Sequence, residues 1–254
     1  MQAAVVFPYY FRAQHDDVAL STLEKQIAAC RQCNFHLIFV SDGPTSEPID
    51  EFLTHSVSDA SAEGIGSHLH VHRFEQHCGL TRSWNWGAGL AFNELDCDVC
   101  ILSNFDAWPR EAQDLKILAE QAEKYSNHFV ACGPYSDNPG HCEKQKAEQS
   151  WNDYHSGVQP VAWVNGFSWA ISRANYQTIV RSRNFFLCDD PRLQLRFHAH
   201  GGALLELPED ADAPSLAMLG QEDELFLWAH RNLNLGCGIA PCFWHHKKLQ
   251  SYLP

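Results

Sequence analysis

The sequence predicts an α/β fold in which a mainly parallel central sheet lies between two layers of helices. Short, wholly apolar runs alternate with longer segments of helical periodicity through about the first 110 residues. Strands that are buried on both faces of a parallel sheet have this continuous apolar character. Polar residues directly follow several of the runs. Because ligands bind beyond the carboxyl ends of such strands, these polar residues are candidates for function.

Four strands and three helices are predicted in the first half of the chain. The apolar run at 3–8 is the first strand, and Asp16 and Asp17 offer a cap to the following helix, which ends near Cys33. The other predicted strands are 36–40, 68–74 and 99–103, and the other helices are 81–95 and 109–125. Their alternating order favours a sheet with helices on both faces.

The second half has a less regular pattern. Predicted strands lie at 129–133 and 239–244, and an extended segment at 161–171 is interrupted by Asn165-Gly166. Helices are predicted at 172–181 and 221–232, and loops at 137–157 and 206–215. No linker-like composition separates the halves, so we expect residues 1–254 to form one domain.

Composition restricts the partners. The formal net charge is −13 at pH 7, which disfavours nucleic acid and anionic membranes. A phosphate-rich ligand would therefore need a cation between itself and the protein's carboxylates. No apolar stretch approaches the length of a transmembrane helix, so no integral membrane segment is expected. The first residues lack the pattern of a signal peptide, which favours a cytoplasmic location.

The ten cysteines raise the question of a zinc site, because Cys30/Cys33 and Cys97/Cys100 have the spacing of zinc ligands. Their neighbours are apolar, however, and Cys30 lies on the apolar side of a predicted helix. Reduced cysteine packs as a small hydrophobic residue. We therefore favour buried, reduced cysteines over a zinc site or disulfides.

Four groups of polar residues could carry chemistry. Asp106 comes just after the fourth strand, where a carboxylate can hold a divalent cation, and Asp42 follows the second strand. His245 and His246 follow the last strand; neighbours in a strand point to opposite faces, so one of them at most is a ligand. Carboxylates at 222–224 open a helix. Each group also has an ordinary structural explanation, as a turn residue, a surface imidazole or a helix-dipole partner.

In order along the chain, these segments are similar to the motifs of family 2 glycosyltransferases of the GT-A fold. The opening strand VVFPYY, LIFVSDGPTSE after it, and GLTRSWNWGAGLA resemble the donor-side motifs. The segment ILSNFDAWP resembles the strand with the family's D-x-D motif, and VNGFSWAISR its acceptor-side segment. QEDELFLWAHRNLNLG resembles the helix with the E-D motif, and FWHH the closing histidine. The resemblance implies a GT-A-like three-layer α/β/α fold.

The resemblance also implies roles for individual residues. The metal, Mn²⁺ or Mg²⁺, would bind Asp106 and one of His245 and His246. The catalytic base would be Asp223, with Glu222 as the alternative. The residues expected to bind the nucleotide-sugar donor are Pro8, Tyr10, Asp42, Arg82, Asn85 and Asn104. About residues 1–110 would form the nucleotide-sugar-binding half and 111–254 the acceptor-binding half.

Residues 184–220 have no counterpart in the family pattern, and two of the matched motifs depart from it. Asn104 stands where the first Asp of D-x-D is expected, and Trp84-Asn85 replaces an Arg-Asn pair. Arg82, two residues before the matching position, could take over a phosphate contact.

The predicted reaction is metal-dependent transfer of a sugar to an acceptor hydroxyl, with inversion implied by the resemblance. The acceptor could be a carbohydrate such as a polysaccharide, a lipid-linked molecule or a protein. Four aromatic residues could stack on sugar rings or simply belong to the core: Trp151, Trp163, Phe167 and Trp169.

Three other functions are alternatives to this one. A sugar nucleotidyltransferase usually carries a Gly-rich basic loop after the first strand, and FPYYFRAQ contains no glycine. An NAD-dependent oxidoreductase needs a G-x-G-x-x-G motif that this sequence lacks. A non-catalytic nucleotide-sugar or carbohydrate-binding protein of the same fold would be consistent with Asn104.

Overall fold

The structure, a computed structural model, describes residues 1–10, 15–62, 68–76, 79–137, 157–161, 163–182, 185 and 221–247. Among these residues the strands are β1 (Ala3–Tyr9), β2 (His36–Ser41), β3 (Leu69–Arg73), β4 (Val99–Ser103), β5 (Ala107–Pro109), β6 (Phe129–Ser136), β7 (Gln159–Val161), β8 (Ser168–Ser172) and β9 (Gly236–His246). The helices are α1 (Asp16–Cys33), α2 (Glu47–Ala62), α3 (Leu80–Asn93), α4 (Ala112–Lys124), α5 (Arg173–Val180) and α6 (Gln221–Leu233).

The nine strands form one sheet in the order β3-β2-β1-β4-β8-β6-β9-β5, with β7 paired to β9. Strands β1 to β4 are parallel, as predicted. Strand β8 is antiparallel to both β4 and β6, whereas β9 is parallel to β6. Strands β1, β2, β3, β4, β6 and β9 therefore all end at one edge of the sheet, where β8 begins. We call this the carboxyl edge.

Helices cover both faces of the sheet, which confirms the three-layer arrangement. On one face, residues of α1, α2 and α4 pack on a core that includes Val5. On the other face, residues of α3, α5 and α6 pack on a core that includes Val6. Since side chains alternate along a strand, β1 contributes to both cores and is wholly buried.

Two local features explain how helices meet the sheet. Helix α1 ends where Asn34 takes a left-handed conformation, φ 57°, close to the predicted end at Cys33. Gly87 of α3 lies against the side chain of Val6, where a Cβ atom would clash with the valine methyl groups. Glycine thus permits α3 to approach β1 closely.

Several elements differ from their predictions. Helix α2 was not predicted; its sequence, EPIDEFLTHSVSDASA, is rich in residues with low helix propensity, and packing on the sheet compensates for them. The helix predicted from residue 109 begins at Ala112 because Ala107–Pro109 pairs with β9. Strand β9 is longer than predicted, so His245 and His246 are its last residues. The predicted loop 206–215 and nearly all of 137–157 lie outside the described residues.

The cysteines of the described part of the chain occupy the core positions that were predicted. Cys30, Cys97 and Cys100 are buried, and Cys33 is partly buried. Burial raises the pKa of Cys97 to about 12 and that of Cys100 well above its usual range. These thiols therefore remain protonated and unreactive at neutral pH.

Among the described residues, no helix has the length and apolar character needed to cross a membrane.

Acidification is expected to destabilise the sheet at β2 and β3. The His36 Nδ1 atom lies 2.9 Å from Nε2 of His70, and the His36 and His68 ring centroids are 4.9 Å apart. Burial, with repulsion from the other two rings, lowers the pKa of His36 to about 4. Burial and His68 also lower the pKa of His70.

In the unfolded chain both histidines have a pKa of about 6.5, which is higher than in the folded protein. The unfolded state therefore binds more protons than the folded state as the pH falls from about 6.5 toward 4. The free energy of unfolding should drop by roughly 1–2 kcal/mol over that range, allowing for solvent screening of half-buried rings. Urea titrations at each pH measure this. His36→Gln should flatten the dependence, whereas His55→Gln, at an exposed site on α2, should not. An equally steep dependence in His36→Gln would contradict the assignment.

Candidate functional site

Asp106 and His246 meet at the carboxyl edge. Strand β5 pairs with the end of β9, so that Ala107 lies opposite His246, and the amide of Lys247 donates to the Asp106 carbonyl at 3.0 Å. This pairing brings Nε2 of His246 within 3.4 Å of Oδ1 of Asp106. The side chains are only 11% and 5% exposed. A carboxylate and an imidazole are thus held together in a nearly buried position.

His245 points to a different carboxylate. Its Nδ1 atom lies 2.7 Å from Oδ2 of Asp137, and the other oxygen of Asp137 accepts the backbone N–H of His246 at 3.0 Å. The two histidines therefore face opposite ways, as neighbours in a strand must. Only His246 is directed at Asp106. Asp137, the residue after β6, was missed in the sequence because that strand was predicted to end at residue 133 rather than at Ser136.

Phe167 fixes the plane of the His246 ring. The two rings are stacked, with centroids 4.8 Å apart and an interplanar angle of 12°. The carbonyl of Phe167 also accepts the backbone N–H of Asn104 at 2.8 Å. The start of β8 is thereby joined to the turn that carries Asp106. Phe167 is buried, so its ring serves packing around His246 and is not open to a sugar.

Glu222 lies beside the same segment. The Glu222 carboxylate packs directly on Gly166, where a Cβ atom would clash with the carboxylate oxygen. Gly166 precedes Phe167, so the first turn of α6 contacts the carboxyl edge near His246. The side chain of Asp223 lies outside the described part of the chain. Its predicted role as a base therefore stays a prediction.

Asp42 lies at the end of β2 on this edge and is nearly buried. Both of its carboxylate oxygens accept the backbone N–H of Gly79 at 2.9 Å, and its own N–H donates to the Tyr9 carbonyl at 2.7 Å. Gly79 precedes α3 and has φ 97°, which favours glycine. Asp42 thus joins the ends of β1 and β2 to the start of α3. The predicted contact with a base or ribose remains a prediction.

The other predicted donor residues occupy varied positions. Pro8 is buried within β1, opposite Val40 of β2, whereas Tyr10 just after it is 39% exposed. Arg82 and Asn85 are partly exposed on the first turns of α3, and the Arg82 guanidinium lies 5.4 Å from the centroid of the Phe74 ring.

Trp84 is buried against Trp169 with ring centroids 6.2 Å apart. That position, which an arginine was expected to fill, faces the core in this chain. Trp169 belongs to the core as well. Among the described aromatic candidates for sugar stacking, Trp163 alone is well exposed, at 49%, and Trp151 lies outside the described residues.

The polar atoms around Asp106 could share a metal ion with a bound ligand, rather than surround the ion completely with protein atoms. Among the described residues, no group of three or more His, Cys, Asp or Glu side chains could hold a metal. Asp106 and His246 could supply one oxygen and one nitrogen ligand. Asn104, in the same turn, has a buried Oδ1 atom to which no described residue donates a hydrogen bond. Ligand oxygens and water would have to complete the coordination of Mn²⁺ or Mg²⁺.

The sheet order, the two helical layers and the polar carboxyl edge define the GT-A-type fold of nucleotide-sugar glycosyltransferases. The expectation of this fold is confirmed; membership of family 2 remains a prediction.

Two solved structures of TarS from S. aureus share this fold. The longer TarS structure gives a TM-score of 0.56 and 11% identity, over 98% of this chain and 37% of that one. TarS 1–349 gives TM-score 0.51 and 12% identity over 97% of this chain and 60% of that one. The mannosyltransferase PcManGT from Pyrobaculum calidifontis, in complex with GDP-Man and Mn²⁺, gives TM-score 0.46 and 14% identity over 74% and 48%.

The chain thus spans 60% of the shorter TarS chain and 37% of the longer one. At identities of 11% and 12%, the likeness to TarS establishes the fold alone. No protein-family model matches the sequence, and no curated protein matches it.

Proposed function

We propose that this protein is a glycosyltransferase, which transfers a sugar from a nucleotide-diphospho-sugar to an acceptor hydroxyl with inversion. The observation that carries the proposal is the meeting of Asp106 and His246, 3.4 Å apart and nearly buried, at the carboxyl edge of a GT-A-type sheet. Ligands of such sheets bind at this edge. The two side chains have the chemistry expected of ligands to a divalent cation that a diphosphate shares.

The donor would lie along the ends of β1, β2 and β4. Asp42 and Tyr10 flank the proposed base and ribose site, and Arg82 and Asn85 of α3 lie at its phosphate side. Mn²⁺ or Mg²⁺ held by Asp106 and His246 would stabilise the negative charge of the diphosphate leaving group. Asn104 would donate or accept a hydrogen bond with ribose or a metal-bound water without adding charge.

The acceptor hydroxyl needs a group to take its proton. Asp223 is the proposed base, with Glu222 as the alternative, because both lie in the first turn of α6. The contact of Glu222 with Gly166 supports this end of α6 as one wall of the site. Carboxylates are ordinarily ionised at neutral pH and can accept the proton as the hydroxyl attacks. Exposed Trp163, three residues before Gly166, would stack on an acceptor sugar.

A non-catalytic donor-binding protein is the second candidate, and the observation that favours it is Asn104 in place of an expected carboxylate. Such a protein would bind the nucleotide-sugar but would neither transfer nor hydrolyse it.

A thermal-shift panel tests the donor site before the acceptor is known. The chain is heated with adenosine, cytidine, guanosine, uridine and thymidine diphosphates, each with and without Mn²⁺ and Mg²⁺. We expect at least one diphosphate to raise the melting temperature by several degrees with the metal and little without it, because a ligand at 100 times its Kd stabilises by about 2.7 kcal/mol. Failure of every pair to shift the melting temperature would contradict the proposal. Hydrolysis of the matching nucleotide-sugar then separates the enzyme from the binding protein.

A further inference from the structure

Gln26 is a buried amide on the sheet-facing side of α1, only 1% exposed. Its Nε2 atom donates to Oγ of Ser103 at 2.9 Å and to the backbone carbonyl of Ala107 at 2.6 Å. Because a carbonyl oxygen only accepts, the amide nitrogen must be the atom that faces Ala107. Burying an amide costs free energy unless it is hydrogen-bonded, and these two bonds offset that cost.

The two partners of Gln26 stand at the two ends of the turn that carries Asp106. Ser103 is the last residue of β4, and Ala107 is the first residue of β5. Between them lie Asn104, Phe105 and Asp106, so one nitrogen atom joins both ends of the three-residue turn. Within the turn, the Ala107 amide donates to the Asn104 carbonyl at 3.2 Å.

Packing alone does not account for a glutamine at this position. The Oε1 atom of Gln26 is buried and has no hydrogen-bond partner among the described residues, a cost that a leucine or methionine would avoid. Neighbouring residues on the same side of α1, Leu23 and Ile27, are apolar and belong to the core. The amide therefore contributes through the two bonds that its nitrogen makes.

We infer that Gln26 is a positioning residue for the donor and metal site: its two hydrogen bonds hold the Asn104–Asp106 turn so that the Asp106 carboxylate faces His246. The inference rests on the proposed binding of a metal with a nucleoside diphosphate. Mutating a residue that hydrogen-bonds to a metal ligand, without binding the metal itself, typically lowers metal affinity by about 10- to 100-fold. Loss of the Gln26 bonds should accordingly weaken metal binding without removing a ligand.

The test compares Gln26→Met with a matched variant, Asn175→Leu. Asn175 is also a buried amide; its Nδ2 atom donates to the carbonyls of Ser126 at 3.1 Å and Phe129 at 2.9 Å. Phe129 begins β6, at the edge opposite the carboxyl edge. Gln26→Met loses two hydrogen bonds to buried partners and Asn175→Leu loses two to partly buried partners, so both should melt at a lower temperature.

Mn²⁺ binding is measured by the electron paramagnetic resonance signal of the free ion, with the metal alone and then with the diphosphate that gives the largest shift in the panel. We expect the Mn²⁺ Kd with diphosphate to rise about tenfold or more in Gln26→Met and to stay unchanged in Asn175→Leu. Ser103→Ala removes one of the two Gln26 bonds and also the bond from Oγ of Ser103 to the Asn104 carbonyl at 3.2 Å. It should likewise raise the Kd, and it serves if Gln26→Met does not fold.

The outcomes distinguish this inference from the proposed function. If the unaltered protein binds no Mn²⁺ with any diphosphate, the proposed function fails and the role of Gln26 fails with it. If the unaltered protein binds, and Gln26→Met and Ser103→Ala bind equally well, the positioning role alone is wrong. An equal loss of affinity in Asn175→Leu would also overturn it, since general destabilisation would then explain the effect.

Discussion

Replacing Asp106 with alanine is expected to abolish Mn²⁺-dependent binding of the nucleoside diphosphate. Asp106 would supply the one charged protein ligand in the proposed pair, because Asn104 in the same turn is neutral. Loss of that ligand should weaken metal-dependent binding by more than about 100-fold, beyond what an outer partner contributes. Isothermal titration of the diphosphate with and without Mn²⁺ measures the change. The Asp106→Ala protein should still fold, because its side chain lies at the end of the sheet rather than in either core.

The two histidines provide the control for this experiment. His246→Ala should repeat the loss seen with Asp106→Ala, because His246 is the imidazole 3.4 Å from that carboxylate. His245→Ala should leave metal-dependent binding nearly intact, because His245 is paired with Asp137. Retained manganese-dependent affinity in Asp106→Ala would refute the metal assignment. A loss in His245→Ala together with retention in His246→Ala would reverse the choice of histidine.

Local patterns predicted the parallel half of the fold well. Apolar runs such as Ala3–Tyr9 are buried on both faces, and that character is readable without any knowledge of their neighbours. Strand partners in the second half were not readable in the same way. Nothing in the sequence of Ser168–Ser172 specifies that it runs antiparallel to both of its neighbours, because periodicity describes faces rather than pairing.

The same distinction holds at the site. Asp42 and Asp106 were found because both follow strands, where a parallel sheet places its ligand-binding residues. Asp137 also follows a strand, but it was missed because that strand was predicted to end at residue 133 and β6 continues to Ser136. Gln26 was missed because it lies within a helix and bonds to residues of β4 and β5. A glutamine within an amphipathic helix gives no local signal of such a contact. From the sequence, either His245 or His246 could be the metal ligand. The pairing of β5 with β9 distinguishes them, because it places His246 beside Asp106.

Replacing Asp223 with asparagine should stop sugar transfer while leaving donor binding unchanged. A positioned base contributes about 10²- to 10⁴-fold, and asparagine keeps the size of the side chain but cannot accept the proton. Single-turnover consumption of the nucleotide-sugar, with water or an added acceptor as the nucleophile, measures the rate. The diphosphate affinity with Mn²⁺, measured separately, should match that of the unaltered protein, since the base contacts the acceptor and not the leaving group.

Glu222→Gln is the matched comparison, because it alters the neighbouring carboxylate on the same helical turn. The Glu222 carboxylate packs against Gly166, so its replacement removes a charge at the wall of the site and should cost less than the loss of the base. If Glu222→Gln abolishes turnover and Asp223→Asn does not, Glu222 is the base, and the acceptor hydroxyl reacts beside Gly166. Near-normal turnover in the double variant with both replacements would exclude the E-D motif as the source of the base, because neither of its carboxylates would then remain to take the proton.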